Sequence, residues 1–157
     1  MIREKINFHI RVTSQNIERG FFANWNEFAI KIRNENNNTI QCFQEAQLSI
    51  SQHQLIKQSL EKGDNFQIIG TNENKAKIII SKDEYIHIEE LNHFHNSEFQ
   101  NNINIIKCQQ STDTPLMLII NVYSPQDSFS APFYELLREK LEDIENELSE
   151  AEKQNFL

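Results

Sequence analysis

A single carboxylate, Glu45, closes the short apolar run Thr39-Ile40-Gln41-Cys42-Phe43-Gln44, so a strand delivers it to one end of the sheet it joins. Two other segments end in polar groups of matching use. Ser14-Gln15-Asn16-Ile17-Glu18-Arg19-Gly20 carries an amide, Asn16, into a glycine break. Leu118-Ile119-Ile120-Asn121-Val122-Tyr123-Ser124-Pro125-Gln126 carries a hydroxyl, Tyr123, to the end of the most apolar strand of the chain. A hard divalent cation such as Mg2+ takes oxygen ligands, often only one or two carboxylates, and keeps waters for exchange with substrate. Glu45 beside Asn16 suits such an ion, and Tyr123 can present its hydroxyl to a phosphate oxygen. Each residue also has a plainer reading: Glu45 as a solvated strand-end carboxylate, Asn16 as the cap of the Gly20 turn, and Tyr123 as a core aromatic with its hydroxyl at the rim.

Two other sets of reactive side chains were weighed. His87, Glu89, His93 and His95 have the composition of a Zn2+ site. No Cys or Asp completes a known spacing, and a solvated edge strand is the better reading. Cys42 and Cys108 both lie inside apolar runs and read as reduced core residues.

The elements that must position these groups follow from periodicity. Ile6, Phe8, Ile10 and Val12 alternate with polar residues, which predicts a strand over 6–12. After Gly20, Phe21 or Phe22, Trp25, Phe28, Ala29 and Ile32 keep helical spacing up to a turn at 36–38. A short strand at 40–43 precedes a second helix over 51–60, with Leu55, Ile56 and Leu60 inward and Gly63 ending it. Strands are expected at 66–69, 77–81, 85–91 and 103–108, and 116–122 is expected to be central. A long helix follows Pro125, with Ser130 as N-cap and Pro132 in its first turn. The fold class is α+β: a mixed sheet with flanking helices on one face and a long C-terminal helix.

The chain has 157 residues, which fits one domain, 1–157, with sheet and helices over 1–126 and the amphipathic helix over 130–154. A hydrophobic fraction of 38%, with eleven Phe, argues for a folded core. No apolar run approaches the ~18 residues of a membrane span. Met1-Ile2-Arg3-Glu4-Lys5 leads into a strand pattern without a signal-peptide core, so the expected compartment is intracellular and no membrane partner is expected. The net charge of −8 weakens, without removing, the case for a nucleic-acid partner.

Laid along this order, residues 8–144 resemble the abasic-site endonuclease branch of the endonuclease/exonuclease/phosphatase (DNase I-like) family, especially the endonuclease domain that opens LINE-type retrotransposon proteins. Asn16, Ile17, Glu18 and Gly20 match its first strand-end turn. Gln44 and Glu45 match its Gln-Glu-Thr, with Ala46 where Thr is usual. Ala76-Lys77-Ile78-Ile79-Ile80-Ser81 resembles its Gly-Val-Ala-Ile-Leu-like strand without the glycine. Asn121-Val122-Tyr123-Ser124-Pro125-Gln126 corresponds to its Asn-hydrophobic-Tyr-Ala-Pro-Asn segment, and an amphipathic helix follows in both. The resemblance implies the first half of a four-layer α/β sandwich and Mg2+-dependent phosphodiester hydrolysis. It implies Glu45 as metal ligand, with Asn16, Tyr123 and Gln126 around the phosphate. Gln126 stands where an Asn is usual and adds a methylene, in a setting where misplacement by ~1 Å can cost about 100-fold.

That family completes its site with a Gly-Asp-Phe-Asn strand and a Ser-Asp-His segment, and the chain reaches Leu157 before either. None of the five histidines follows a Ser-Asp pair. The expectation is therefore a truncated, non-catalytic relative acting as a binding or structural subunit, with no cofactor required and Mg2+ only if it is active. A lone half is expected to expose the inner face of its sheet, to be covered by another copy, a separate chain or a rearranged helix. Tyr134, Leu137, Leu141, Ile144, Leu148 and Ala151 form a heptad seam. That seam is expected either to pack on the sheet of the chain itself or to dock on a partner. The rivals are an active nuclease completed in trans by a second chain and a small acidic inhibitor or immunity-type protein.

Overall fold

The computed structural model describes residues 10–18, 20–34, 38–61, 66–81, 85–110 and 114–156. Among the described residues, seven strands and four α-helices follow one another: β1 Arg11–Asn16, α1 Trp25–Asn34, β2 Thr39–Gln44, α2 Ile50–Glu61, β3 Phe66–Ile69, β4 Lys77–Ser81, β5 His87–Leu91, β6 Ile103–Gln109, β7 Met117–Val122, α3 Asp127–Glu147 and α4 Glu150–Asn155. No helix among the described residues is long and apolar enough to cross a membrane. The first described strand, Arg11–Asn16, runs past the end of the 6–12 expectation. Residues 6–9 and Gly63, the expected helix terminator, lie outside the described residues.

The chain is α+β, with two sheets where one was expected. The first is mixed, in the order β1-β2-β4-β3, with β1 parallel to β2 and the other pairs antiparallel. The second is antiparallel, in the order β5-β6-β7. Strand alternation sorts the core into three tiers. Ile78 and Ile80 of β4 meet Ile106 and Cys108 of β6 between the sheets, together with Ile40 and Cys42 of β2. Ile79 and Phe43 face the other way, toward Phe21, Trp25, Ala29, Ile56 and Leu60 of the α1–α2 layer. Ile103 and Ile105 of β6 face Phe133 and Ile144 of α3, with Phe94 and Phe99 filling the end. The result is four layers: helices, sheet, sheet, helix. The central strands β4 and β6 are buried on both faces and accordingly read as nearly continuous Ile runs.

Four expectations are corrected here. The inner face of the first sheet is not bare, because the second sheet, built from the same chain, packs on it. The helices do not share one face, because α3 covers the second sheet from outside. Segment 116–122 is an edge strand, since β6 takes the centre of the second sheet. Leu55 faces solvent, 57% exposed, while Ile56 and Leu60 point inward.

The C-terminal helix begins at Asp127 with Gln126 as N-cap, so Ser130 and Pro132 both lie inside it. It is also not continuous. Leu148 turns to extended backbone, and Ser149 restarts a helix through a capping box with Glu152. The break lets α4 fold back over the second sheet, where Lys107 of β6 bonds Glu152 at 2.8 Å and Leu116 bridges Phe156. Most of the heptad seam packs within the chain, while Tyr134 and Ala151 are exposed. Ile144 and Leu148 are buried, Leu137 and Leu141 pack on the second sheet, and of the five proposed docking residues only Tyr134 is exposed.

Candidate phosphate and metal site

Parallel pairing sets Asn16 opposite Gln44, so β1 and β2 end together, and the next residue after β2 is Glu45. Tyr123 is the first residue after β7. Three strand ends thus converge. The Asn16 amide donates to Glu45 Oε1 at 3.4 Å and the Tyr123 hydroxyl donates to the same oxygen at 3.2 Å. Among the described residues, neither of these bonds uses Oε2, which leaves that oxygen for a further ligand.

The backbone is bent to make this possible. Glu45 sits at φ 53° and Glu18 at φ 47°, both left-handed and uncommon for such residues. The Glu18 N–H is held by Asn16 Oδ1 at 2.9 Å, fixing which way the Asn16 amide points. Gly20 closes that turn, and a Cβ there would lie 2.9 Å from the Ile17 carbonyl oxygen. On the other side the Ala46 N–H bonds the Lys75 carbonyl at 2.9 Å, anchoring the chain as it leaves Glu45.

Beneath the cluster lies a polar bolt between the sheets. Asn121 of β7 is buried, and its Nδ2 lies 3.1 Å from Phe43 O, 2.9 Å from Lys77 O and 3.1 Å from Asn104 Oδ1. Its Oδ1 accepts from Gln44 Nε2 at 2.7 Å, and that amide also donates to Ser14 Oγ at 3.0 Å. This network links β7 to β1, β2, β4 and β6 directly below Glu45. Sequence reasoning passed over Asn121 as a holding group. Its signal was an amide inside the otherwise apolar run Leu118–Val122.

Lys77 was missed as well. Its side chain is fully buried, and Nζ lies 2.6 Å from Thr71 O, 3.3 Å from Asn72 O and 2.6 Å from Asn74 O. Burial pulls its pKa down to about 7, while three carbonyls favour the ammonium. The loop it gathers accepts the Leu48 N–H at Asn72 O, so Lys77 steadies the segment that follows Glu45.

The sequence-derived site residues therefore divide. Asn16, Glu45 and Tyr123 come together. Gln126 stands apart, at the N-cap of α3, on the wall of a cleft shared with Tyr123. Toward a Mg2+ ion, which takes oxygen ligands and keeps several waters, the cluster would offer one carboxylate, Glu45. No group of three or more His, Cys, Asp or Glu suited to a metal occurs among the described residues. The His87, Glu89, His93 and His95 set is dispersed. His93 Nε2 lies 2.7 Å from Glu147, Glu89 pairs with Lys107 at 3.1 Å, and β5 is an edge strand. Cys42 and Cys108 are buried and form no disulfide, and burial pushes the Cys42 thiol up to about 11.

Beside the cluster, among the described residues, no further strand pairs with β1 or β7 along one flank of the two sheets. The edge strands β1 and β7 border a groove of about 560 Å3 lined by Val12, Ser14, Cys42, Gln44, Ile119 and Asn121, among others. Val12 is 49% exposed there. Comparison with protein-family models, with curated proteins and with solved structures finds no match, so the reading of the site rests on its geometry.

Proposed function

We propose that this chain is a relative of Mg2+-dependent phosphodiester hydrolases that acts by itself as a binding subunit of a protein complex and does not hydrolyse phosphodiesters efficiently. The observation that carries the proposal is the convergence of Asn16, Tyr123 and the strained Glu45 on one carboxylate oxygen at three strand ends. Glu45 Oε2 would hold a hydrated ion. Such an ion would offset phosphate charge and polarise a phosphoryl oxygen. The Asn16 amide and the Tyr123 hydroxyl would turn from Glu45 to the phosphate, whose oxygens accept from both. The four-layer order and the placement of the Gln44-Glu45 and Tyr123-Ser124-Pro125 segments support the DNase I-like reading. Efficient hydrolysis also needs a group that orients or activates the attacking water. Within this cluster both donors are engaged with Glu45, and Asn16 Oδ1 is engaged with Glu18.

The test is direct. Purified protein with Mg2+ or Mn2+ is expected to leave supercoiled and abasic-site plasmid intact, while Mn2+ broadens resonances at Glu45 and Tyr123. Efficient nicking would sink the proposal. A second reading, an active nuclease completed in trans, is favoured by the β1–β7 flank, which carries no further strand among the described residues and where strands of another chain could extend both sheets beside Glu45. It expects a co-purifying chain and nicking by the complex that Glu45→Ala removes. A small acidic inhibitor would have no use for the Glu45 cluster.

A further inference from the structure

The Lys77 side chain brings a charge into the core without a counter-charge. Its ammonium meets the backbone carbonyls of Thr71, Asn72 and Asn74 and, among the described residues, no carboxylate. A neutral side chain of the same length would be less costly to bury, because an ion loses far more on leaving water. The bonds that leave the 71–76 loop show where the ammonium acts. Toward β2, Asn72 O accepts from the Leu48 N–H at 2.8 Å and Lys75 O from the Ala46 N–H at 2.9 Å. Those two bonds hold the segment just after Glu45. Toward the second sheet, the Lys75 N–H donates to Asn101 O at 2.8 Å, and Nδ2 of the buried Asn74 donates to Gln100 O at 3.3 Å. The next residue, Asn102, grips Tyr123 twice. Its carbonyl accepts the Tyr123 N–H at 2.8 Å, and its Nδ2 donates to Tyr123 O at 3.0 Å. One loop thus ties both partners of the 3.2 Å bond between the Tyr123 hydroxyl and Glu45.

Three carbonyl oxygens turned toward one buried point repel one another, and a cation between them reverses the sign of that interaction. We propose that Lys77 is a positioning residue for the Glu45 site: its ammonium closes the 71–74 loop, and the closed loop sets the spacing of Glu45 and Tyr123 on which ion affinity depends. The proposal rests on the Glu45 reading for the ion and adds what fixes the carboxylate. Groups that orient a ligand from outside the coordination shell are worth about 10–100-fold in metal affinity.

The experiment compares the full chain with Lys77→Met, which keeps the side-chain length and removes the charge. Ile144→Val, a trim in the core tier under α3 that touches none of these bonds, is the control. Two quantities are read: the carboxyl carbon-13 shift of Glu45 in metal-free protein, and the affinity for Mn2+ from the relaxation of nearby amides. Lys77→Met is expected to move the Glu45 signal and to weaken Mn2+ by about tenfold. The control is expected to do neither. In Lys77→Ala, propylammonium replaces the removed part of the side chain and is expected to restore both readings. The same-sized but uncharged 1-propanol is expected to restore neither. If Lys77→Ala does not fold, Lys77→Met decides alone. An unmoved Glu45 signal in Lys77→Met, equal effects from Ile144→Val, or equal rescue by 1-propanol would overturn the proposal. The two claims fail separately. A parent protein that ignores Mn2+, with a Glu45 signal that still moves in Lys77→Met, sinks the ion reading alone. A parent that binds Mn2+ no better than Lys77→Met does sinks the positioning role alone.

Discussion

Glu45 is held at φ 53°, a region that costs a side-chain-bearing residue of order 1 kcal/mol or more and glycine almost nothing. Such strain persists where the surroundings over-determine it, and here they do: Ala46 is tied to Lys75 on one side and Gln44 to Asn121 on the other. Glu45→Gly is therefore expected to be more stable than Glu45→Ala by about 1 kcal/mol, since both lose the same hydrogen bonds and only one relieves the backbone. Urea unfolding of the pair measures this, and equal midpoints would mean the conformation carries no strain. Asn121 is the opposite case, a residue whose side chain matters for folding. Asn121→Ala strips partners from Gln44, Asn104 and two backbone carbonyls in a buried setting, and is expected to cost about 3 kcal/mol in the same assay. A loss below about 1 kcal/mol would show that water replaces the amide at no great cost.

The order of elements was legible in the sequence, because each strand and helix carries its own period. Their partition into two sheets was not. The nearly continuous apolar runs in 77–81 and 103–108 say that both faces are buried without saying against what, and Ile runs look alike in either sheet. The edge position of β7 was hidden for the same reason: it is apolar because α3 covers one face and the first sheet lies against the other. The break at Leu148 had a readable signal in Ser149-Glu150-Ala151-Glu152, a capping-box pattern masked by the heptad that runs through it. At the site, Glu45, Asn16 and Tyr123 were legible from strand-end position, whereas nothing in the sequence sets Lys77 apart within the strand expected at 77–81. Its burial by the 71–74 loop gives a pH prediction. The unfolded chain holds the Lys77 proton up to 10.5 and the folded chain only to about 7, so between those values the unfolded state binds the extra proton. The stability contributed by this group therefore rises as pH climbs from 7 toward 10.5 and is lost as pH falls back to 7. Lys77→Met is expected to flatten that rise in urea midpoint relative to the parent protein, and parallel pH profiles for the two would show the group titrating normally.

At the scale of the molecule, charge limits what the site can engage. The chain carries −8 overall, and the cleft beside Tyr123 is lined by one cation, Lys75, and one carboxylate, Glu98. A surface that grips duplex DNA neutralises many phosphates at once, and its affinity then falls steeply with salt. The Glu45 cluster, as proposed, would contact about one phosphate. For a single-stranded ligand the affinity falls with a log–log salt slope of roughly −0.7 per neutralised phosphate, so a single contact loses about threefold between 50 and 200 mM salt. Six to ten contacts on a duplex would lose about a thousandfold or more over the same range. Titrating a short single-stranded oligonucleotide at constant Mg2+ across that range distinguishes the two. A shallow slope is expected, with Lys75→Ala flattening it further. A steep slope that Lys75→Ala leaves unchanged would mean that another face of the molecule carries the binding, against the pull of its net charge.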